Sequence, residues 1–133
     1  MIELMKKTLE RRSITVAMVQ YARLGVDGCG TPFDIYRRIE GACGKNTSLA
    51  LDIWAAHECL VLLKVNGESD ILDALCEIYI KPFVKSPHRA IKAKEISYAI
   101  LSYAQNRYID ERTVYRRLSR ARKIWLALRE GHK

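Results

Sequence analysis

Basic side chains recur at helical spacing in residues 110–125 and give this stretch the chemistry of an anion-binding surface. In a helix that begins at Asp110, the residues Arg112, Arg116, Arg120 and Lys123 share one face, because they lie three or four residues apart. Guanidinium groups bind phosphate oxygens and base edges through paired hydrogen bonds. The pattern predicts contact with a nucleic acid, although a merely solvated helix face can have the same composition.

The opposite side of the same stretch is apolar and predicts a face that docks against the rest of the protein. Asp110 suits the N-cap position, and Glu111 places negative charge at the positive end of the helix dipole. We therefore expect a helix over residues 110–128 that is held by one face and leaves the other in solvent. The apolar residues are Val114, Leu118, Ala121, Trp125 and Leu128.

The position of each basic residue along this helix predicts what it contacts. A recognition helix reads the major groove with its first turns, whereas residues further along lie nearer to the phosphates. We expect Arg112, Thr113 and Arg116 to contact base edges of double-stranded DNA. The residues expected to contact the DNA backbone are Lys92, Lys94, Arg107, Arg117, Arg120, Arg122 and Lys123.

The net charge of +8 is unevenly distributed along the 133 residues. Residues 1–84 contain ten Lys and Arg against eleven Asp and Glu, a net charge of −1. Residues 85–133 contain thirteen against four, a net charge of +9. The whole basic excess lies in the C-terminal part, which favours a neutral scaffold joined to a nucleic-acid face.

Metal binding and catalysis are two other chemistries that the sequence allows but does not favour. Cys29, Cys43, His57 and Cys59 have ligand chemistry for zinc, but no C-x-x-C pair is present. Carboxylates such as Asp52 and Glu58, or Asp70, Asp73 and Glu77, have helical spacing without a nucleophile or base at a recognisable distance along the chain. We therefore expect no metal, no cofactor and no enzymatic activity.

The hydrophobic periodicity predicts an all-α protein, a helical bundle with a C-terminal helix-turn-helix. We find no alternating strand pattern. Residues 1–66 are predicted to form a helical platform for self-association or partner contact, and residues 67–133 a DNA-binding unit. The predicted helices are Ile2 to Arg23, Phe33 to Glu40, a third from a cap at Thr47 or Ser48 to Val65, 70–80 ended by Lys81 and Pro82, 91–107 and 110–128.

Part of the C-terminal stretch resembles a known family. The sequence Thr113-Val114-x-x-Arg117-Leu118-Ser119-Arg120-Ala121-Arg122-Lys123 is similar to the recognition helix of the sigma-factor region 4 type of helix-turn-helix. Glu95-Ile96 resembles the start of that family's packing helix, while Tyr108-Ile109 stands where its turn usually has glycine. The resemblance implies promoter reading, and extends to small phage late-gene regulators that include the Q-type antitermination proteins.

From this resemblance we expect a regulator of phage or prophage late transcription that acts with RNA polymerase or a sigma factor. Self-association through residues 1–66 would make it a homodimer. Two alternatives stay open. The tyrosines at 98, 103, 108 and 115 suit stacking on bases and favour an RNA-binding protein. The second alternative is a protein-protein adaptor of the transcription machinery that does not recognise a DNA sequence. With no apolar signal region and no membrane-spanning run, we expect a cytoplasmic protein without membrane contact.

Overall fold

The computed structural model describes residues 14–24, 32–84 and 92–131. Over these residues the protein is helical and contains no strand, which confirms the predicted all-α class. The prediction of a helix from Ile2 is tested only over its second half, because residues 1–13 lie outside the described part. The helices are α1 (14–23), α2 (Pro32–Cys43), α3 (Thr47–Val65), α4 (Ser69–Leu75 with its continuation), α5 (Ala93–Arg107) and α6 (Glu111–Gly131).

Helix α3 lies at the centre of the fold because apolar side chains occur on all its sides. Such a helix is stable only when neighbours cover most of its surface, and α2, α4 and α6 all pack against it. Ile53, Cys59 and Leu63 are buried in these contacts. The predicted cap at Thr47 or Ser48 is wrong: Asn46 caps the helix, and its Oδ1 accepts a hydrogen bond from the Leu49 amide at 3.1 Å.

Helix α2 runs three residues past the predicted Glu40. The sequence predicts its end near Gly41 and Gly44, and of these two glycines Gly44 ends the helix. The helix runs through Gly41 to Cys43, and Gly44 then adopts a φ of +56°. This left-handed conformation is accessible to glycine without a steric penalty. The Gly44 amide donates to the Glu40 carbonyl at 2.9 Å, which closes the helix end.

Helix α4 does not end at Lys81 and Pro82, in contrast to the prediction. After Ser69–Leu75 it continues as a π-helical turn, Cys76–Ile80, and a last α-helical turn, Lys81–Val84. In the π-helical turn the Lys81 amide bonds to the Cys76 carbonyl, five residues back. This wider turn changes the hydrogen-bond register just before Pro82, where proline lacks an amide hydrogen. Because the helix continues through Pro82 in this way, the next residue, Phe83, is buried in the core.

Helix α6 is anchored to α3 and α4 along its apolar face, as predicted. Val114, Ala121 and Trp125 are buried, and Leu118 and Leu128 pack against the core. The indole Nε1 of Trp125 donates to the Asp52 carbonyl at 3.0 Å. At the end of the helix, the Arg129 Nε donates to an Asp52 carboxylate oxygen at 2.5 Å. The described residues on either side of position 66 thus share one hydrophobic core, while their division of function stays a prediction.

Candidate nucleic-acid interface

A three-residue connection, 108–110, joins α5 to α6 and sets the start of the basic helix. Tyr108 ends α5 in the left-handed conformation, at φ 56° and ψ 41°. The Ile109 amide bonds back to the Ala104 carbonyl at 3.1 Å, so the chain closes the helix end as it turns. Asp110 is the predicted N-cap of α6: its Oδ1 accepts from the Arg112 amide at 2.9 Å.

The outer face of α6 carries exposed basic residues. Arg112, Arg116 and Lys123 are exposed, and their positions differ by four and seven residues, so they form one stripe along the helix. Thr113 is half-buried beside this stripe. The three residues predicted to contact bases therefore lie together in the first turns of α6, on or next to its outer face.

Two predicted backbone contacts instead face carboxylates at the start of α4, namely Asp70 and Glu68, the residue just before the helix. Arg120 Nη2 lies 2.5 Å from Glu68 Oε1, and Arg117 Nη2 lies 3.9 Å from Asp70 Oδ2. The Arg120 side chain is nevertheless 65% exposed, whereas that of Arg117 is 21% exposed. Phosphate can approach Arg120 directly, but it must compete with Glu68 for the guanidinium.

Arg107 is also held by an acidic residue of α4. Its Nε and Nη2 donate to the carboxylate of Asp73 at 3.1 and 3.2 Å, and the Tyr103 hydroxyl donates to the same carboxylate at 2.6 Å. The hydrogen bond from Tyr103, followed by the hydrogen bond and charge of Arg107, lowers the pKa of Asp73, although partial desolvation opposes this. This three-residue contact fixes α5 to α4.

The sequence alone did not predict these pairings: Asp70 and Asp73 were considered only as candidate catalytic carboxylates, and no partner was predicted for Glu68. Glu68, Asp70 and Asp73 each approach an arginine on α5 or α6. Nothing in their local spacing indicates this arrangement, because each partner is more than 30 residues away in the chain. The α4 carboxylates form a negative edge along one side of the basic surface.

Arg122 lies on the other side of α6 from this edge and lines a cavity. The cavity has a volume of about 930 Å³ and lies between α1, α4, α5 and α6. Arg122 is half-buried there, and its Nη2 is 3.5 Å from Ser119 Oγ. Tyr79 and Leu118 form part of the apolar wall. The structure thus places Arg122 apart from the outer stripe.

The remaining predicted backbone contacts, Lys92 and Lys94, are exposed at the start of α5. Along the same helix the tyrosines divide into two groups. Tyr103 is buried against Asp73, so it is unsuited to stacking on bases. Tyr98 is 73% exposed and Tyr108 is 95% exposed. The aromatic surface available for a partner is therefore smaller than the sequence alone predicts.

The cysteines that the structure describes are thiols in an unreactive setting. Cys43, Cys59 and Cys76 are free, and burial raises the pKa of each, that of Cys59 to about 12. Within the described ranges, no three His, Cys, Asp or Glu side chains cluster as a metal site requires. Cys29, the remaining member of the zinc set considered, lies outside those ranges.

The chain matches no protein-family model, no curated protein and no solved structure. The resemblance of residues 113–123 to a sigma-type recognition helix therefore stays a prediction. In the described part of the chain, none of the helices has the length and apolar character needed to cross a membrane.

Proposed function

We propose that this chain is a sequence-specific DNA-binding regulator of transcription in which α5 and α6 act as a helix-turn-helix. The observation that carries the proposal is that α6 has an exposed basic face and a buried apolar face. Arg112, Arg116 and Lys123 are exposed on its outer face, while Val114 and Trp125 are buried on the opposite face. A helix held in this way offers its first turns to a major groove without loss of core contacts.

The proposed biological role is phage or prophage late-gene control of the antitermination type, acting with RNA polymerase or a sigma factor. Its support is the resemblance of residues 113–123 to the sigma-type recognition helix. Residues 1–66 would then contact the polymerase or a second copy of the chain. Val61, Leu62 and Val65, which are 46%, 38% and 75% exposed at the end of α3, support a contact surface there.

The test is a comparison of duplex binding by variants of α6, measured by fluorescence anisotropy with a selected target sequence and a random duplex. Arg112→Ala or Arg116→Ala is expected to reduce discrimination between the two duplexes by roughly 1–3 kcal/mol. Lys123→Ala or Arg120→Ala is expected to weaken binding to both duplexes alike and to flatten the salt dependence, since each loses one phosphate contact.

The matched control is Lys64→Ala, which removes one exposed positive charge from α3. It is expected to change neither the affinity nor the discrimination. Equal losses on target and random duplex from all four α6 variants would remove the assignment of α6 as a recognition helix.

Two other functions are separated by related measurements. An adaptor that does not read DNA, which the exposed end of α3 favours, would show no duplex binding at moderate salt yet co-purify with RNA polymerase. An RNA-binding protein, which the exposed Tyr98 and Tyr108 favour, would prefer RNA when duplex DNA and RNA of equal length compete.

A further inference from the structure

The outward face of α5 presents aromatic side chains that the proposed duplex contact does not use. Tyr98 is 73% exposed, Leu101 is 41% exposed and Tyr108 is 95% exposed. Lys94, Tyr98, Leu101 and Gln105 follow one another at spacings of three and four residues, so they line a single face of the helix. Tyr108 follows at the turn, just after the last residue of the helix. We refer to these five residues as the tyrosine face.

Tyr108 also has a backbone conformation that its own side chain does not favour. It is the one residue other than glycine with a positive φ, 56°, in the part of the chain that the structure describes. Residues with a Cβ are strained in the left-handed region, and glycine would relieve that strain. The Tyr108 ring offsets little of this cost by packing, because it is almost wholly in solvent. Strain of this kind is characteristic of positions used for binding.

The charges around the tyrosine face favour a polyanion. Lys92 and Lys94 lie at one end of α5, and Arg112 and Arg116 follow the turn at the other end; all four are exposed. Glu95 is about 100° around the helix from Lys94, and the Asp110 carboxylate is engaged as the cap of α6. Tyr98 and Tyr108 are ten residues apart, about 15 Å along a helix, a distance that a short run of nucleotides spans.

We propose that the tyrosine face binds the unpaired bases of a DNA strand, next to the duplex contacted by α6. Exposed aromatic rings among basic residues are the platform on which single strands stack, and every base offers a π-face to them. Gln105, between the two rings, has an amide suited to base edges. The choice of DNA rests on the proposed function, in which Arg112 and Arg116, the first arginines after Tyr108 in the chain, contact duplex DNA. The whole surface thus fits a duplex that is locally opened.

The experiment uses the full chain and four labelled probes: a blunt duplex, the same duplex with a central unpaired bubble, its single DNA strand, and an RNA strand of the same sequence. The bubble duplex is expected to bind more tightly than the blunt duplex. Tyr98→Leu and Tyr108→Gly should each weaken binding to the bubble and the single DNA strand by roughly five- to a hundredfold, because each removes one stacking ring. Binding to the blunt duplex should not change.

Two controls show whether a loss of binding reflects the loss of stacking or a change in folding. Tyr98→Phe and Tyr108→Phe retain the ring and should bind the bubble within about twofold of the parent chain, by the same stacking argument. Tyr108→Gly relieves the left-handed strain, so its midpoint of thermal unfolding should not decrease. A loss of strand binding in this variant then reflects the missing ring.

The outcomes distinguish this site from the proposed function. Equal affinity for blunt and bubble duplexes, or bubble binding that Tyr98→Leu and Tyr108→Gly leave unchanged, overturns the strand site and assigns the face to a protein partner. Strand binding without duplex binding keeps the site but overturns the proposed function. Tyrosine-dependent binding to RNA that exceeds binding to the DNA strand overturns the choice of DNA.

Discussion

His57 is a buried residue whose ionisation affects the stability of the fold. Its Nδ1 lies 2.8 Å from the Tyr21 hydroxyl, and its ring packs beside Trp54. Burial lowers the pKa of His57 below its usual value of 6.5, although the nearby Glu58 opposes this effect. The neutral imidazole is therefore the form that the folded protein favours.

From this we predict that the free energy of unfolding decreases as the pH falls below about 6.5. The unfolded chain takes up a proton at that pH, whereas folded His57 does so only at lower pH. Urea denaturation in steps from pH 7.5 to 5 measures the effect. In His57→Gln this part of the pH dependence should disappear, whatever the variant's stability at pH 7.5. An unchanged slope would contradict the assignment.

Tyr103 supports a second prediction at the residue scale. Tyr103→Phe removes the hydrogen bond to Asp73 and should lower the free energy of unfolding at neutral pH by about 1 kcal/mol. Because the pKa of Asp73 is lowered in the folded protein, this stabilisation is present at neutral pH and is lost as the carboxylate protonates. The difference between variant and parent should therefore decrease toward acid pH. A difference that stays constant would mean that the contact does not depend on the charge of Asp73.

At the scale of elements, α4 limits how α6 can bind a polyanion. Glu68 and Asp70 lie against Arg120 and Arg117, so a phosphate that reaches either arginine competes with a carboxylate. Glu68→Gln and Asp70→Asn should each raise the affinity for duplex DNA by about two- to fivefold at low salt, since exposed ion pairs contribute about 0.4–1 kcal/mol. Anisotropy titration at several salt concentrations measures this.

Glu40→Gln is the matched control for this prediction, because it removes one exposed negative charge from α2. It should raise the affinity less than the two α4 variants do. An equal gain would show that net charge, rather than competition for Arg117 and Arg120, governs binding.

The elements themselves were predictable where the local sequence carries their signals. The Asp110 cap and the apolar spacing from Val114 to Leu128 predicted α6, and the structure bears out both. The end of α4 was predicted wrongly at Pro82, because proline usually ends a helix. The π-helical turn before Pro82, which lets the helix continue, has no recognisable signal in a single sequence. Asn46 was missed because Thr47 and Ser48 have the same capping chemistry.

The candidate site was predictable only in part, for a physical reason. Exposure of Arg112 and Arg116 follows from helical periodicity, which is local. The pairing of Arg107 with Asp73 depends on how α5 crosses α4, and one sequence does not determine that crossing. The left-handed conformation of Tyr108 has no local signal either, because glycine is the usual residue at such a position; only the resemblance to the sigma-type family, whose turn has glycine there, marks the place.

At the scale of the whole molecule, the contact between α6 and α3 bears on the predicted division at residue 66. Trp125 is 1% exposed and bonds to the Asp52 carbonyl, and Cys59 on α3 is buried with its thiol donating to the Ala121 carbonyl at 3.7 Å. Neither part can bury these groups alone. We therefore expect the two parts to unfold together, even if they carry different functions.

Trp54→Phe makes this expectation measurable, because it leaves Trp125 as the single tryptophan. In that background, Trp125 fluorescence reports the contact between α6 and α3, and far-ultraviolet circular dichroism reports all helices. The two urea transitions should coincide. Loss of the fluorescence signal at a lower urea concentration than the helical signal would mean that residues 67–133 separate from the platform before it unfolds.

The buried indole of Trp125 also contributes directly to stability. Trp125→Phe in the parent chain should lower the free energy of unfolding by about 2–3 kcal/mol, since the variant loses buried area and leaves the Asp52 carbonyl without this donor. Trp54 is only half-buried, so Trp54→Phe should lower the free energy of unfolding by less than Trp125→Phe does.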